Sequence, residues 1–244
     1  MPLIFQAWKG IKTNQHIVFS FILVSAAITL AFSSLNIVLN SFLEEDAEII
    51  PVWMSVAHIF FDLLSSAVYA VFYTIFFGLL GKELDKPIWK YGSAIDTLKR
   101  FFLPWFIMVL GIVTLVRMQE GIIRLGYEAD MFLSIEVIIL FMYLFSVPIG
   151  ASIMFIGRFQ WSLLGEAITP LWQLFSLTWL VLLINFGQYM LLQTMLYSLQ
   201  SMSIHTPIAM AIIDMPHTLL NILAFVMCWE ILKIYRNLNL GKGE

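Results

Sequence analysis

His58, Asp62, Ser65, Tyr69 and Tyr73 follow one another at spacings of four, three, four and four residues. In an α-helix those steps fall on a single face. An imidazole one turn from a carboxylate shares a proton or a charge with it, and hydroxyls further along extend the path. The spacing therefore predicts proton or ion coupling through His58 and Asp62. Glu136, also set in an apolar run, joins them as an ion or proton candidate, and Arg117 is expected either to partner it or to snorkel to the interface. The plainer alternative is a polar seam between helices. Ser65, Tyr69, Asn185 and Gln188 are expected to serve that packing, with Ser66 and Ala70 letting backbones approach.

A second chemistry can be built from the same groups. His58, Asp62, Asp214 and His217, with Glu136 nearby, are the residue types that hold a divalent metal inside a helix bundle. The chain has no His-Glu-x-x-His, no paired Glu signature and no Cys-His cluster, and its single cysteine, Cys228, permits neither a disulfide nor a Cys-based cage. The Asp214-Met215-Pro216-His217 run also has a structural reading. Asp is a favoured N-cap and Pro a favoured first-turn residue, so a helix is expected to begin near Met215 with Ile208–Ile213 at an interface. Phosphate loops and nucleotide motifs are missing from the sequence. No catalytic set and no cofactor are expected.

These polar groups need elements to carry them, and the composition says which. Of 244 residues, 61% are apolar and 12% charged, far from the roughly quarter-charged make-up of a soluble domain. Water cannot surround that much apolar surface; a bilayer can. Disorder, nucleic-acid binding and a secreted disulfide scaffold are excluded by the same figures. The apolar runs are continuous rather than alternating, so the spans are helices and not barrel strands. The expectation is an all-α, six-helix bundle, one integral membrane domain over 1–244, with spans near 17–39, 52–80, 101–116, 131–155, 171–197 and 210–231. The third is short and is expected to continue past Arg117. The first is too long for the apolar core of a cleaved signal peptide.

Charge sets the threading. Lys9, Lys12, Lys82, Lys86, Lys90, Lys99, Arg100, Arg158, Lys233, Arg236 and Lys242 fall on one side, which is 11 of the 13 basic residues. Arg117 and Arg124 fall on the other, beside Glu44, Glu45, Asp46, Glu48, Glu120, Glu128 and Asp130, and His205 sits in an outer turn. The positive-inside rule then places both termini in the cytoplasm. Each odd-numbered span is led by a short mixed segment: Ala7–Lys12, Ala94–Lys99 and Ala167–Trp172. Such segments suit interfacial helices, giving three hairpins, each an interfacial helix followed by two crossings.

The length, the six spans, the basic N-terminal segment, the Leu163–Ile168 lead-in and the Thr218–Leu223 and Ile231–Arg236 ending resemble the YciC-like family of bacterial inner-membrane proteins. The resemblance implies a multi-pass inner-membrane protein with no catalytic set to transfer. Related membrane domains stand beside phospholipid-degrading modules, which implies a lipid-linked role. The function expected is non-enzymatic, as a structural subunit or an organiser of envelope lipid. Alternatives are a small carrier or channel using His58 and Asp62, and an intramembrane metal-dependent hydrolase. Expected partners are membrane lipids and other membrane proteins, with no nucleic acid.

Overall fold

A computed structural model describes residues 2–42, 52–85, 92–125, 129–201 and 207–240. Glu44, Glu45, Asp46, Glu48, Lys86, Lys90, Glu128, His205 and Lys242 lie outside these, as do the side chains of Glu120, Arg124 and Asp130. The described residues form eight α-helices and no strand: α1 (Leu3–Thr13), α2 (Gln15–Asn40), α3 (Val52–Leu84), α4 (Ala94–Leu125), α5 (Ala129–Ile156), α6 (Leu164–Gln173), α7 (Phe175–Ser201) and α8 (Pro207–Leu240). One 3₁₀ turn, Trp161–Leu163, precedes α6. Six of them, α2, α3, α4, α5, α7 and α8, are long and apolar enough to cross a membrane.

The short helices form for local reasons. In α1, Leu3, Ala7 and Ile11 recur every four residues and are buried, while Lys9 and Lys12 point outward. Asn14 ends the helix: its backbone N–H reaches the carbonyls of Gly10 and Ile11, and its side-chain amide donates to Gly10 at 3.0 Å. α2 starts at the next residue. α6 repeats the pattern with Ala167, Pro170 and Leu171 inward and Trp172 outward. The lead-in Ala94–Lys99 behaves differently. Ser93 caps it by accepting from the Asp96 N–H at 3.1 Å, and the helix runs on unbroken as α4. Of three expected interfacial helices, two are separate and one is fused to its span. The span expected from Leu171 accordingly begins at Phe175.

Gly157 ends α5. Its φ of 85° lies in the left-handed region, which an L side chain enters only with strain.

α8 organises the bundle. Its run Ala224–Trp229 is apolar on every side and every residue of it is buried, as a helix without a polar face must be. α2, α7, α5 and α1 pack against it, and α3 packs chiefly on α4. α2 makes its most extensive contact with α8 and also meets α3 through Phe21 and Thr29. An aromatic core joins these helices: Phe21 stacks on Phe76 at 5.0 Å, and Phe77 stacks on Phe225 at 4.3 Å and on Trp105 at 5.2 Å. Ser66, Ala70, Thr74 and Gly78 form a buried small-residue stripe on α3. A Cβ on Gly78 would meet Thr97 at 2.5 Å, so α3 and α4 lie close there. The outer surface is apolar, with Phe19, Phe60 and Leu133 each more than 60% exposed.

One end of the bundle gathers both terminal helices with Leu84, Asp85, Arg100 and Gly157. Lys233 donates to the Leu84 carbonyl at 2.8 Å, Arg236 pairs with Asp85 at 3.0 Å, and Arg100 reaches the Gly157 carbonyl at 3.5 Å. Lys9, Lys12, Lys82, Lys99 and Arg158 belong to this same basic end.

Candidate functional site

The polar residues described below come from six helices and sit mainly in the half of the bundle away from the basic end. Asp214, His217 and Asn221 are spaced three and four apart on α8, so they share a face. Asp214 lies about 10 Å along α8 from its first residue, at 1.5 Å per residue. Its carboxylate accepts from Ser25 on α2 at 2.6 Å and from Thr218 at 3.3 Å, and Thr218 also donates to Ser25 at 2.9 Å. The expectation that Asp214 caps a helix starting at Met215 is overturned: α8 begins at Pro207 and runs through Pro216. The cap chemistry is intact in the sequence, but the carboxylate turns toward α2 and leaves the backbone.

His217 bridges two further helices. Its Nε2 meets the Tyr143 hydroxyl of α5 at hydrogen-bonding contact, and its Nδ1 stands 3.9 Å from Asp214. At that separation Nδ1 approaches the Asp214 carboxylate without a hydrogen bond to it. Gln188 of α7 donates to the His217 carbonyl at 3.1 Å. On α3, Tyr69 hydrogen-bonds Thr29 of α2 at 2.7 Å, and Tyr73 lies beside it with ring centres 6.1 Å apart. Of these groups, Tyr69, Tyr73, Tyr143, Asp214, His217 and Asn221 face a partly open cavity of about 250 Å³ whose remaining wall is Phe77, Trp105, Met108, Val109, Ile112, Val113, Ser146 and Val147.

Asp62 has a different partner. Arg117 of α4 donates to it twice, Nε to Oδ2 and Nη2 to Oδ1, each at 3.0 Å. This two-pronged geometry suits a guanidinium and a carboxylate. Arg117 was expected beside Glu136, so the pairing is corrected. Glu136 instead accepts from Gln119 and from the Tyr189 hydroxyl. The reason is register: α3 and α4 pack along their length and bring Arg117 level with Asp62. Ser65 donates to the Asp62 backbone carbonyl at 3.1 Å, within its own helix. His58 sits half-buried one turn from Asp62.

The four residues named as metal ligands do not assemble. Asp62 is bound to Arg117, while Asp214 and His217 face Ser25 and Tyr143. Among the described residues, no group of three or more His, Cys, Asp or Glu side chains could hold one ion.

Asn185 makes a contact that the sequence did not announce. Pro148 has no N–H, so the carbonyl of Leu144 four residues earlier lacks its helical donor. The Asn185 amide donates to it at 2.8 Å. Ser25, Thr29, Tyr143, Thr218 and Tyr189 are site residues that sequence reasoning missed. Ser25 and Thr29 carry a readable signal, being one turn apart within an apolar span. Tyr143 and Tyr189 carry none, since tyrosines in such spans are common.

A second space opens on the side of the bundle. A cleft of about 460 Å³ runs between α5, α7 and α6, lined by Phe141, Met142, Phe145, Ile149, Ile168, Leu171, Trp172, Phe175, Thr178 and Leu182. Its rim is exposed: Trp172 is 73% and Phe141 57% accessible. Met108 and Ser146 line both this cleft and the cavity.

The fold and these two spaces define an all-helical protein with six helices long and apolar enough to span a membrane. Comparison of the chain with protein-family models, curated proteins and solved structures returns no match.

Proposed function

We propose that this is a non-enzymatic, multi-pass protein of a bacterial inner membrane that organises lipid, with both termini in the cytoplasm. The observation that carries the reading is the lateral cleft. Its walls are almost wholly apolar, its rim faces outward, and α6 lies across one end with Trp172 outermost. An acyl chain fits such walls, and a Trp at headgroup depth fits the interface. The clustering of basic residues at the end holding both termini supports the assigned sidedness. The far-end Arg117 is neutralised by Asp62.

The test replaces Phe145, inside the cleft, or Phe60, on the open outer face, with a photo-crosslinking benzoylphenylalanine. Membranes are extracted in detergent before irradiation. Phospholipid adducts at position 145 that survive extraction, with none at position 60, are the expected result. Equal adducts at both positions, or none at 145, contradict the reading.

A carrier or channel for a proton or cation is the second reading. Asp214 favours it, because this carboxylate faces a cavity and, among the described residues, no Lys or Arg forms a salt bridge with it. The original pair, His58 and Asp62, is less suited to that work with Arg117 holding Asp62. The hydrolase alternative finds no ligand group among the described residues and is not carried further.

A further inference from the structure

We infer that the cleft and the cavity together form one binding site for a membrane-dissolved amphiphile with a cationic head. This rests on the lipid-binding reading of the cleft and adds the charge of the occupant. The two spaces share Met108 and Ser146 as lining residues, so they adjoin there. The outer space is apolar and open to the side; the inner one contains a carboxylate. A tail in the first and a head in the second matches both.

The sign of the head follows from the inner wall. Asp214 is its carboxylate, held by Ser25 and Thr218, while Oδ1 stands 3.9 Å from His217 Nδ1. Among the described residues, no Lys or Arg lines the wall. Tyr69, Tyr73, Phe77, Trp105 and Tyr143 surround the space with aromatic rings, whose faces attract cations. An ammonium head gains from both the carboxylate and the rings. An anionic head would be repelled by the Asp214 carboxylate, and a neutral head would gain nothing from its charge.

The test uses the full chain in lipid nanodiscs and radiolabelled decyltrimethylammonium, with decanol and decyl sulfate as neutral and anionic probes. Saturable decyltrimethylammonium binding is expected, weakened about tenfold or more by Asp214→Asn and kept by Asp214→Glu. Decanol binding should be the same in wild type and Asp214→Asn, which also shows that the variant is folded. Ser146→Trp, which places bulk where the two spaces adjoin, should reduce decyltrimethylammonium affinity and spare decanol. Equal affinities for all three probes would overturn the cationic assignment and leave the cleft reading standing. Cation binding that depends on Asp214 without saturable decanol binding would remove the cleft instead. Decyltrimethylammonium binding unchanged in Asp214→Asn would also overturn the inference.

Discussion

Asn185 on α7 supplies the hydrogen-bond donor that Pro148 on α5 withholds from its own helix. The proline leaves the Leu144 carbonyl open, and the Asn185 amide closes it at 2.8 Å. Within hydrocarbon an open carbonyl finds no water, so a neighbouring helix must satisfy it. A break in one span thereby becomes a tie between two.

That tie predicts a coupling. Asn185→Ala should lower stability by about 1 kcal/mol, the usual scale of an interhelical hydrogen bond in a membrane. In a Pro148→Ala background, where the helix regains its own donor, the same change should cost less. A double-mutant cycle on thermal unfolding in detergent measures this. Equal costs in both backgrounds would show that Asn185 does not act through the open carbonyl.

The Asp62–Arg117 pair predicts asymmetric damage. Arg117→Met leaves a half-buried carboxylate unpaired, at a cost of about 1.5–3 kcal/mol for a lost charged hydrogen bond. Adding Asp62→Asn should recover much of that loss, since a neutral amide needs no counter-charge. Unfolding midpoints of the two single variants and the double variant decide it. A double variant less stable than Arg117→Met alone would contradict the pairing.

Two glycines predict overpacking. A Cβ at Gly150 would stand 2.5 Å from the Trp105 ring, and one at Gly81 would stand 2.8 Å from the Trp229 ring. Indoles at 3% and 1% exposure have little room to move. Gly150→Val and Gly81→Val should each destabilise by about 1–3 kcal/mol. At Gly187, where an added Cβ meets nothing within 4 Å, the change to Ala should be close to neutral. Thermal midpoints compare the three.

The threading is tested by labelling. Cys228 is buried, so a Cys228→Ser background carries no native thiol. Gln160→Cys at the basic end and Ser41→Cys at the far end are both exposed. In intact spheroplasts, a membrane-impermeant maleimide should label position 41 and spare position 160. The reverse pattern would invert the sidedness.

The helical class and the number of membrane-length helices were readable because a continuous apolar run long enough to span is a signal that neighbours do not alter. Helix ends were less so. Ala94–Lys99 and Ala167–Trp172 look alike in sequence, yet the first continues into α4 and the second stops before α7, where Leu174 forms the junction. Local composition does not encode that difference. The stripe on α3 lies within one continuous helix, but its partners depend on helix register, which no single span contains. Arg117 could reach Glu136 or Asp62 as far as sequence spacing goes; α3–α4 packing chose Asp62. Asp214 misled for another reason. Its neighbours fit a helix start well, and only the position of Ser25, 189 residues away in the chain, explains why its carboxylate turns inward.

The lipid-organising role is tested most directly by counting the lipid that stays with the purified protein. Native mass spectrometry after gentle detergent exchange should find a phospholipid bound to the wild-type chain. Filling the cleft with Ile149→Trp and Ile168→Trp should remove it while leaving the thermal midpoint near that of the wild type. Lipid retained in equal amount by the filled variant, or none on the wild type, would contradict the account.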